Sequence, residues 1–356
     1  RRLAFPVLVG VLAASSLLAQ PDRSAPPKPG PVKPLKLPAV ERLALSNGVG
    51  VLLVPMHEVP VVEVLLVVRA GATADPAGRE GLARTTADML DEGANGRDAL
   101  ALADAIDFLG AQLGTEASWD ASIVRLRVPV ARLGDALPVM ADVALRPDFP
   151  ESELRRLRKE ALTDLLQARD VPGRIASRAL AQAVFGTAHR YGRPEGGDAA
   201  SIAALTVADL RAFHAARYVP SAATLVVAGD VTRDVLPLVE KAFGAWRAAA
   251  APAPAPSVAV PAALEARTVW LVDKPGAAQS AIRVGAVGPS WSVPGYAAAE
   301  VMNTLLGGSF TSRLNDNLRE QHGYSYGAAS RLLRYRTGGL FVAFSDVQTD
   351  KTAPAV

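Results

Sequence analysis

Leu305-Leu306-Gly307-Gly308-Ser309-Phe310-Thr311-Ser312-Arg313-Leu314-Asn315-Asp316-Asn317-Leu318-Arg319-Glu320-Gln321-His322-Gly323-Tyr324-Ser325-Tyr326 is the stretch on which the reading of the fold turns. Its glycines and small hydroxyl residues break one helix, and Leu314 and Leu318 recur at the spacing of a second, amphipathic one. Gly323 is a helix terminator, and Tyr324-Ser325-Tyr326-Gly327-Ala328 alternates like a strand entering a sheet. That order predicts Arg319 near a helix end and Tyr326 just inside the next strand, both able to face one cleft. A guanidinium offers a permanent fork of donors and a phenol one hydroxyl, which together suit a carbonyl oxygen or a developing oxyanion.

Upstream, the pattern predicts a helix over 296–306, preceded by β-branched strands at 268–275 and 281–287. The same order stands earlier in the chain, with strands at 49–55 and 61–70 and then a helix over 81–92. The chain therefore reads as two copies of one β-β-α unit, the second cut short. Between the copies, strands are expected at 113–118, 121–129 and 223–230. Helices are expected at 99–109, 132–145, 151–168, 175–185, 206–218 and 235–246. Thr206 followed by Asp209 marks the start of one of them, a hydroxyl cap with an acid in the first turn. Strands mixed with helices and joined by antiparallel hairpins give an α+β class: two homologous domains, each an antiparallel or mixed sheet packed with helices.

At 356 residues the chain exceeds one ordinary core. The expected division is a signal peptide at 1–20, a Pro-rich linker at 21–39 and a first domain at 40–247. An Ala/Pro linker follows at 248–263, then a second domain at 264–356. A complete second domain needs about 100 residues more, so it is expected to be truncated. Arg1-Arg2, an apolar run from Leu3 to Leu18 and a small-residue exit predict export to the periplasm or cell envelope. If uncleaved, the same segment is expected to act as a membrane anchor. The absence of cysteine removes disulfides, thiolate metal sites and thiol nucleophiles. A net charge of +3 with acids and bases interspersed speaks against nucleic acid. Ser309 lacks the G-x-S-x-G frame of a serine nucleophile, and no Walker or Rossmann glycine pattern occurs.

The Gly-Gly break, the Ser312-Arg313-Leu314 start, Leu318-Arg319-Glu320, a glycine and then Tyr326 resemble the C-terminal half of the insulinase-like zinc peptidases (pitrilysin superfamily, M16). The likeness is to the small two-domain bacterial members and runs from residue 40 to the end. It implies a clam-like pair of domains in which Arg319 and Tyr326 bind the substrate backbone beside zinc. It also implies that Gly114, Thr115, Glu116 and Ala117 lie on a strand whose edge an extended peptide joins.

Active members of that family bind zinc through an inverted His-x-x-Glu-His on the first long helix, with a third ligand, a Glu, on the long charged helix. The matching stretch is Gly81-Leu82-Ala83-Arg84-Thr85-Thr86-Ala87-Asp88-Met89-Leu90, where Arg84, Ala87 and Asp88 replace His, Glu and His. A guanidinium does not ligate zinc and Ala87 offers no general base. Glu160 and Asp164 fall near the third ligand's place, and His57, His189, His214 and His322 are scattered without paired spacing. The resemblance thus implies a subunit that holds no zinc and supplies Arg319 and Tyr326, with zinc in a partner chain and an extended peptide as substrate. A structural or assembly protein on the same fold is the alternative, and a peptidase with a non-standard metal site a third reading.

Overall fold

The computed structural model describes residues 30–31, 34–248, 253–254 and 257–356. The predicted leader at 1–20 lies outside the described residues, as do parts of the two linkers. Two-residue alternation builds the first sheet from β1 (Glu41–Ala44), β2 (Gly50–Pro55) and β3 (Val61–Val68). A two-residue pair, β4 (Gly93–Ala94) and β5 (Arg97–Asp98), stands apart from it. The hairpin β6 (Gln112–Ala117) and β7 (Ser122–Pro129) and the later strand β8 (Ala223–Gly229) complete it in the order β1-β2-β8-β3-β7-β6. β2 and β8 run parallel and the other pairs antiparallel, so the sheet is mixed.

Val62, Val64, Leu66 and Val68 on β3 are all fully buried, as are Leu53, Leu225 and Val227 on the neighbouring strands. They pack with Leu137 and Met140 from the helix Leu133–Leu145, Leu210 from Val207–Arg217 and Phe243 from Leu236–Phe243. Each such side chain contributes roughly 1.5–3 kcal/mol on leaving water. Among the described residues no helix is long and apolar enough to cross a membrane.

The second sheet consists of β9 (Gln279–Gly288), β10 (Ser325–Arg334) and β11 (Gly339–Gln348), in the order β10-β11-β9. That order repeats β6-β7-β3 of the first sheet. The helices that follow β3 and β9, Leu82–Asp88 and Tyr296–Asn303, both start at a left-handed glycine, Gly81 at φ +94° and Gly295 at φ +83°. At Gly81 a side chain would also strike the Gly196 carbonyl oxygen at 2.4 Å.

Two expectations are corrected. Residues 268–275 form no strand, and Val269 and Leu271 are 94% and 91% exposed. In the first sheet β2 reaches β3 only through β8. The described part of the second sheet has no counterpart of β8, so 268–275 finds no ladder. The helix predicted over 81–92 ends at Asp88, because the chain turns there to bury both Met89 and Leu90 completely.

The helix Pro172–Phe185 lies along β9, with Leu180 against Gly285. Beside it Tyr335, between β10 and β11, packs on Tyr191 at 4.5 Å and Trp119 at 5.6 Å between ring centres. The Arg336 amide donates to Asp120 at 3.0 Å, and Tyr191 bonds Thr337 through its hydroxyl at 3.1 Å. Aromatic faces and these polar bonds thus join the two sheets.

Candidate functional site

The helix Tyr296–Asn303 passes into a π-helical turn, Thr304–Gly308, where the Gly-Gly break was expected. The run with Leu314 and Leu318 is a short α-helix, Arg313–Asn315, that widens into a second π-helical segment, Asp316–Gln321. This corrects the plain amphipathic helix expected there. The His322 amide donates to the Asn317 carbonyl five residues back, at 3.1 Å, and Gly323 ends the segment at φ +64°. Gly307 is required by close approach, since a Cβ there would lie 2.4 Å from the Ser330 amide nitrogen on β10.

β10 begins with a bulge. Ser325 pairs with Val347 and Ala328 with Ser345, so Tyr326 and Gly327 together oppose one residue of β11. Bulges re-aim side chains, and here Tyr326 is turned out, 89% exposed. Asn315, buried, fastens the bulge: its side-chain oxygen accepts from the Ala328 amide at 3.1 Å, and its amide donates to the Phe310 carbonyl at 2.6 Å. The Arg319 guanidinium lies 5.2 Å from the Tyr326 ring centre and 4.6 Å from that of Phe310. Its Nε faces Glu320 at 3.4 Å. Among the described residues its terminal nitrogens make no hydrogen bond, which leaves the fork free for an acceptor.

At the positions where zinc ligands were sought, Arg84 donates from Nε to both Asp88 oxygens, at 2.9 and 3.1 Å. Burial pushes the Asp88 carboxyl up and Arg84 draws it down. Ala87 is fully buried between them in sequence. Glu160 accepts from Arg156 at 3.1 Å, and Asp164 is gripped by both terminal nitrogens of Arg174, which holds its carboxyl below the ordinary value. The histidines are engaged elsewhere: His57 with Asp230, His189 with the Ala259 carbonyl, His214 with the Ala144 carbonyl, and His322 stacked on Tyr324. Ser309 donates to the Thr304 carbonyl at 3.3 Å. No group of three metal-ligating side chains occurs among the described residues. The residues present do not fit zinc, because a cation occupies one ligand position and its carboxylate neighbour is engaged with that cation.

Gly114, Thr115, Glu116 and Ala117 lie on β6, the last strand of the first sheet, against which the helix Leu82–Asp88 packs. Thr115 donates to Asp91 at 3.3 Å, whose carboxyl burial pushes up. Gly114 faces open space. An edge strand of this kind presents unpaired amides and carbonyls to an added strand.

Sequence reasoning missed three residues. The Asp75 side chain is fully buried, accepts from the Gly81 and Ala83 amides at 2.8 Å each, and pairs with Arg190 at 3.1 Å. It therefore caps the helix that carries Arg84 and Asp88 from outside that helix. Burial pushes its carboxyl up to about 6, against the pull of the two amides and Arg190. An acid six residues ahead of the first capped amide follows no local capping pattern. Phe310 and Asn315 stood inside the deciding stretch, where only their contacts across it reveal a role.

Comparison with known proteins bears on this geometry. Residues 51–193 match the family model for insulinase (peptidase family M16), and residues 204–356 match that for the peptidase M16 inactive domain. The uncharacterized zinc protease YmxG of Bacillus subtilis is 25% identical over 305 residues, 86% of this chain and 73% of the relative. An uncharacterized zinc protease of Mycobacterium leprae is 27% identical, over 85% of this chain and 68% of its own length. Among solved structures, a peptidase M16 inactive domain from Pseudomonas fluorescens superposes with a TM-score of 0.81 at 30% identity, covering 87% of this chain and 74% of that one. A protease from Helicobacter pylori superposes at 0.78 with 21% identity, covering 88% and 76%, a likeness of fold.

Proposed function

Because the chain belongs to the insulinase-like M16 family of peptidases, we propose that it is a zinc-free subunit of a heteromeric peptidase. Its Arg319 fork and Tyr326 hydroxyl bind the carbonyl of an extended peptide, and a partner chain of the same family holds the zinc. The observation that carries this reading is the stacked Arg319–Tyr326 pair with free donors. The Arg84–Asp88 ion pair at the lost ligand positions supports it from the other side. Donors aimed where negative charge develops are worth about 2.7–4 kcal/mol where water is excluded, and Tyr326, exposed in the chain alone, meets that condition once a partner chain covers it. The edge of β6, with Gly114 to Ala117, offers the substrate backbone a strand to join. In this reading residues 40–247 and 264–356 are the two domains of the subunit, and the basic and apolar start at 1–20 directs it to the cell envelope.

The test follows cleavage of a quenched fluorescent peptide by the full chain alone, by a zinc-bearing M16 chain from the same genome alone, and by the mixture. Cleavage that needs the mixture, and falls with both Arg319→Ala and Tyr326→Phe, supports the proposal. Association without any effect of either substitution assigns the chain to scaffolding instead. Cleavage by this chain alone, abolished by a chelator, refutes the zinc-free reading.

A further inference from the structure

Phe310 is 67% exposed, so burial does not account for an aromatic side chain in this loop. What it does touch is the guanidinium of Arg319, 4.6 Å from its ring centre, on which Tyr326 also packs at 5.2 Å. A cation packed on two aromatic rings loses much of the freedom of its long stem.

The segments that carry both rings are tied to the same side chain. Asn315 donates to the Phe310 carbonyl and accepts from the Ala328 amide, the residue that closes the bulge bearing Tyr326. The buried amide therefore sets the spacing between the loop and the strand. Gly327, beside Tyr326, is held independently by Ser345, whose hydroxyl donates to its carbonyl at 2.9 Å.

We infer that Phe310 and Asn315 are positioning residues for Arg319: Phe310 holds the guanidinium beside Tyr326, and Asn315 fixes the spacing between the loop and the strand that carry the two rings. The inference rests on the role proposed for Arg319, and its test separates the two. Leucine fills nearly the space of phenylalanine but has no π face, so a residue needed only for packing tolerates Phe310→Leu, whereas Phe310→Tyr keeps the face.

The full chain, mixed with the zinc-bearing chain, is assayed on the quenched peptide. The Arg319 Nε–Hε resonance is followed in parallel in the full chain alone, identified by its loss in Arg319→Lys. Phe310→Leu is expected to lower kcat/KM about two- to fivefold and to move that resonance, and Phe310→Tyr to restore both. Asn315→Asp, which loses the donor to Phe310 and keeps the acceptor for Ala328, is expected to move the resonance as well. Wild-type rate and an unmoved resonance in Phe310→Leu overturn the inference, as does a lowered rate with an unmoved resonance. If Arg319→Ala leaves cleavage intact while the resonance still responds to Phe310→Leu, the proposed role of Arg319 falls and the positioning role with it, and only the stack remains.

Discussion

The adjacent glycines 307 and 308 make opposite predictions for the same substitution. A Cβ on Gly307 would lie 2.4 Å from the Ser330 amide nitrogen and 2.5 Å from its hydroxyl, whereas ordinary contact begins at 3.4 Å. The strand cannot retract, because Ser330 is paired with Ala343 of β11. The π turn must therefore move away from β10 by about 1 Å, carrying Phe310 with it, at a cost of about 1–3 kcal/mol. On Gly308 the nearest atoms are those of Asn303, at 3.1 to 3.3 Å, and a few tenths of an ångström relieve them. Both residues sit in one turn, so the helix-propensity gain of alanine, about 1 kcal/mol, is common to both and the difference isolates the clash. Gly307→Ala is expected to lower the urea midpoint of the full chain well below that of Gly308→Ala. It is also expected to reduce kcat/KM in the mixed assay by about two- to fivefold, the effect of losing the Phe310 contact with Arg319. Equal midpoints and equal rates for the two variants would refute the reasoning.

Three further outcomes are expected. The Asp75 carboxyl, raised from 3.8 to about 6 in the folded chain, keeps a proton there that the unfolded chain has released, so stability falls as pH rises through that window. The loss totals about 3 kcal/mol, and urea unfolding from pH 4 to 7 should show a slope that Asp75→Asn lacks; identical slopes contradict it. Arg84→Ala removes a partly exposed i,i+4 pair and should cost about 0.5 kcal/mol or less, leaving cleavage by the mixture unchanged; a large loss of rate would restore a catalytic role to the old ligand positions. Tyr335→Ala removes the ring packed on Tyr191 and Trp119, where each aromatic pair contributes about 0.5–1.5 kcal/mol. It should make near- and far-UV circular dichroism transitions separate on heating, and coincident transitions would show that other contacts couple the sheets.

Much of the fold was legible because local patterns and burial agree. Runs of β-branched residues marked β3 and β9, and the Thr206–Asp209 pair forms a complete capping box at the start of Val207–Arg217. Residues 268–275 have the composition of a strand, but a strand needs a neighbour, and composition carries no record of one. The helix holding Arg84 was found, yet its cap was not, since Asp75 reaches the Gly81 and Ala83 amides from outside any local capping pattern. Within the candidate site, Arg319 and Tyr326 were identified by residue type and order. Their stacking depends on a bulge and a widened helix, and neither feature has a composition of its own.

The widened helix has a consequence for how such chains change over time. A π-helical segment holds one residue more than the α-helical turn it replaces, so the bearing of Arg319 depends on a residue count as well as on residue identity. Tightening Asp316–Gln321 to α geometry with every residue kept would swing what lies beyond by about 100°, whereas losing one position at the same time would leave that direction nearly unchanged. A one-residue gap in that interval would therefore mark an α-helical form of the same turn with its onward direction kept, whereas a change of turn at constant length would re-aim Arg319.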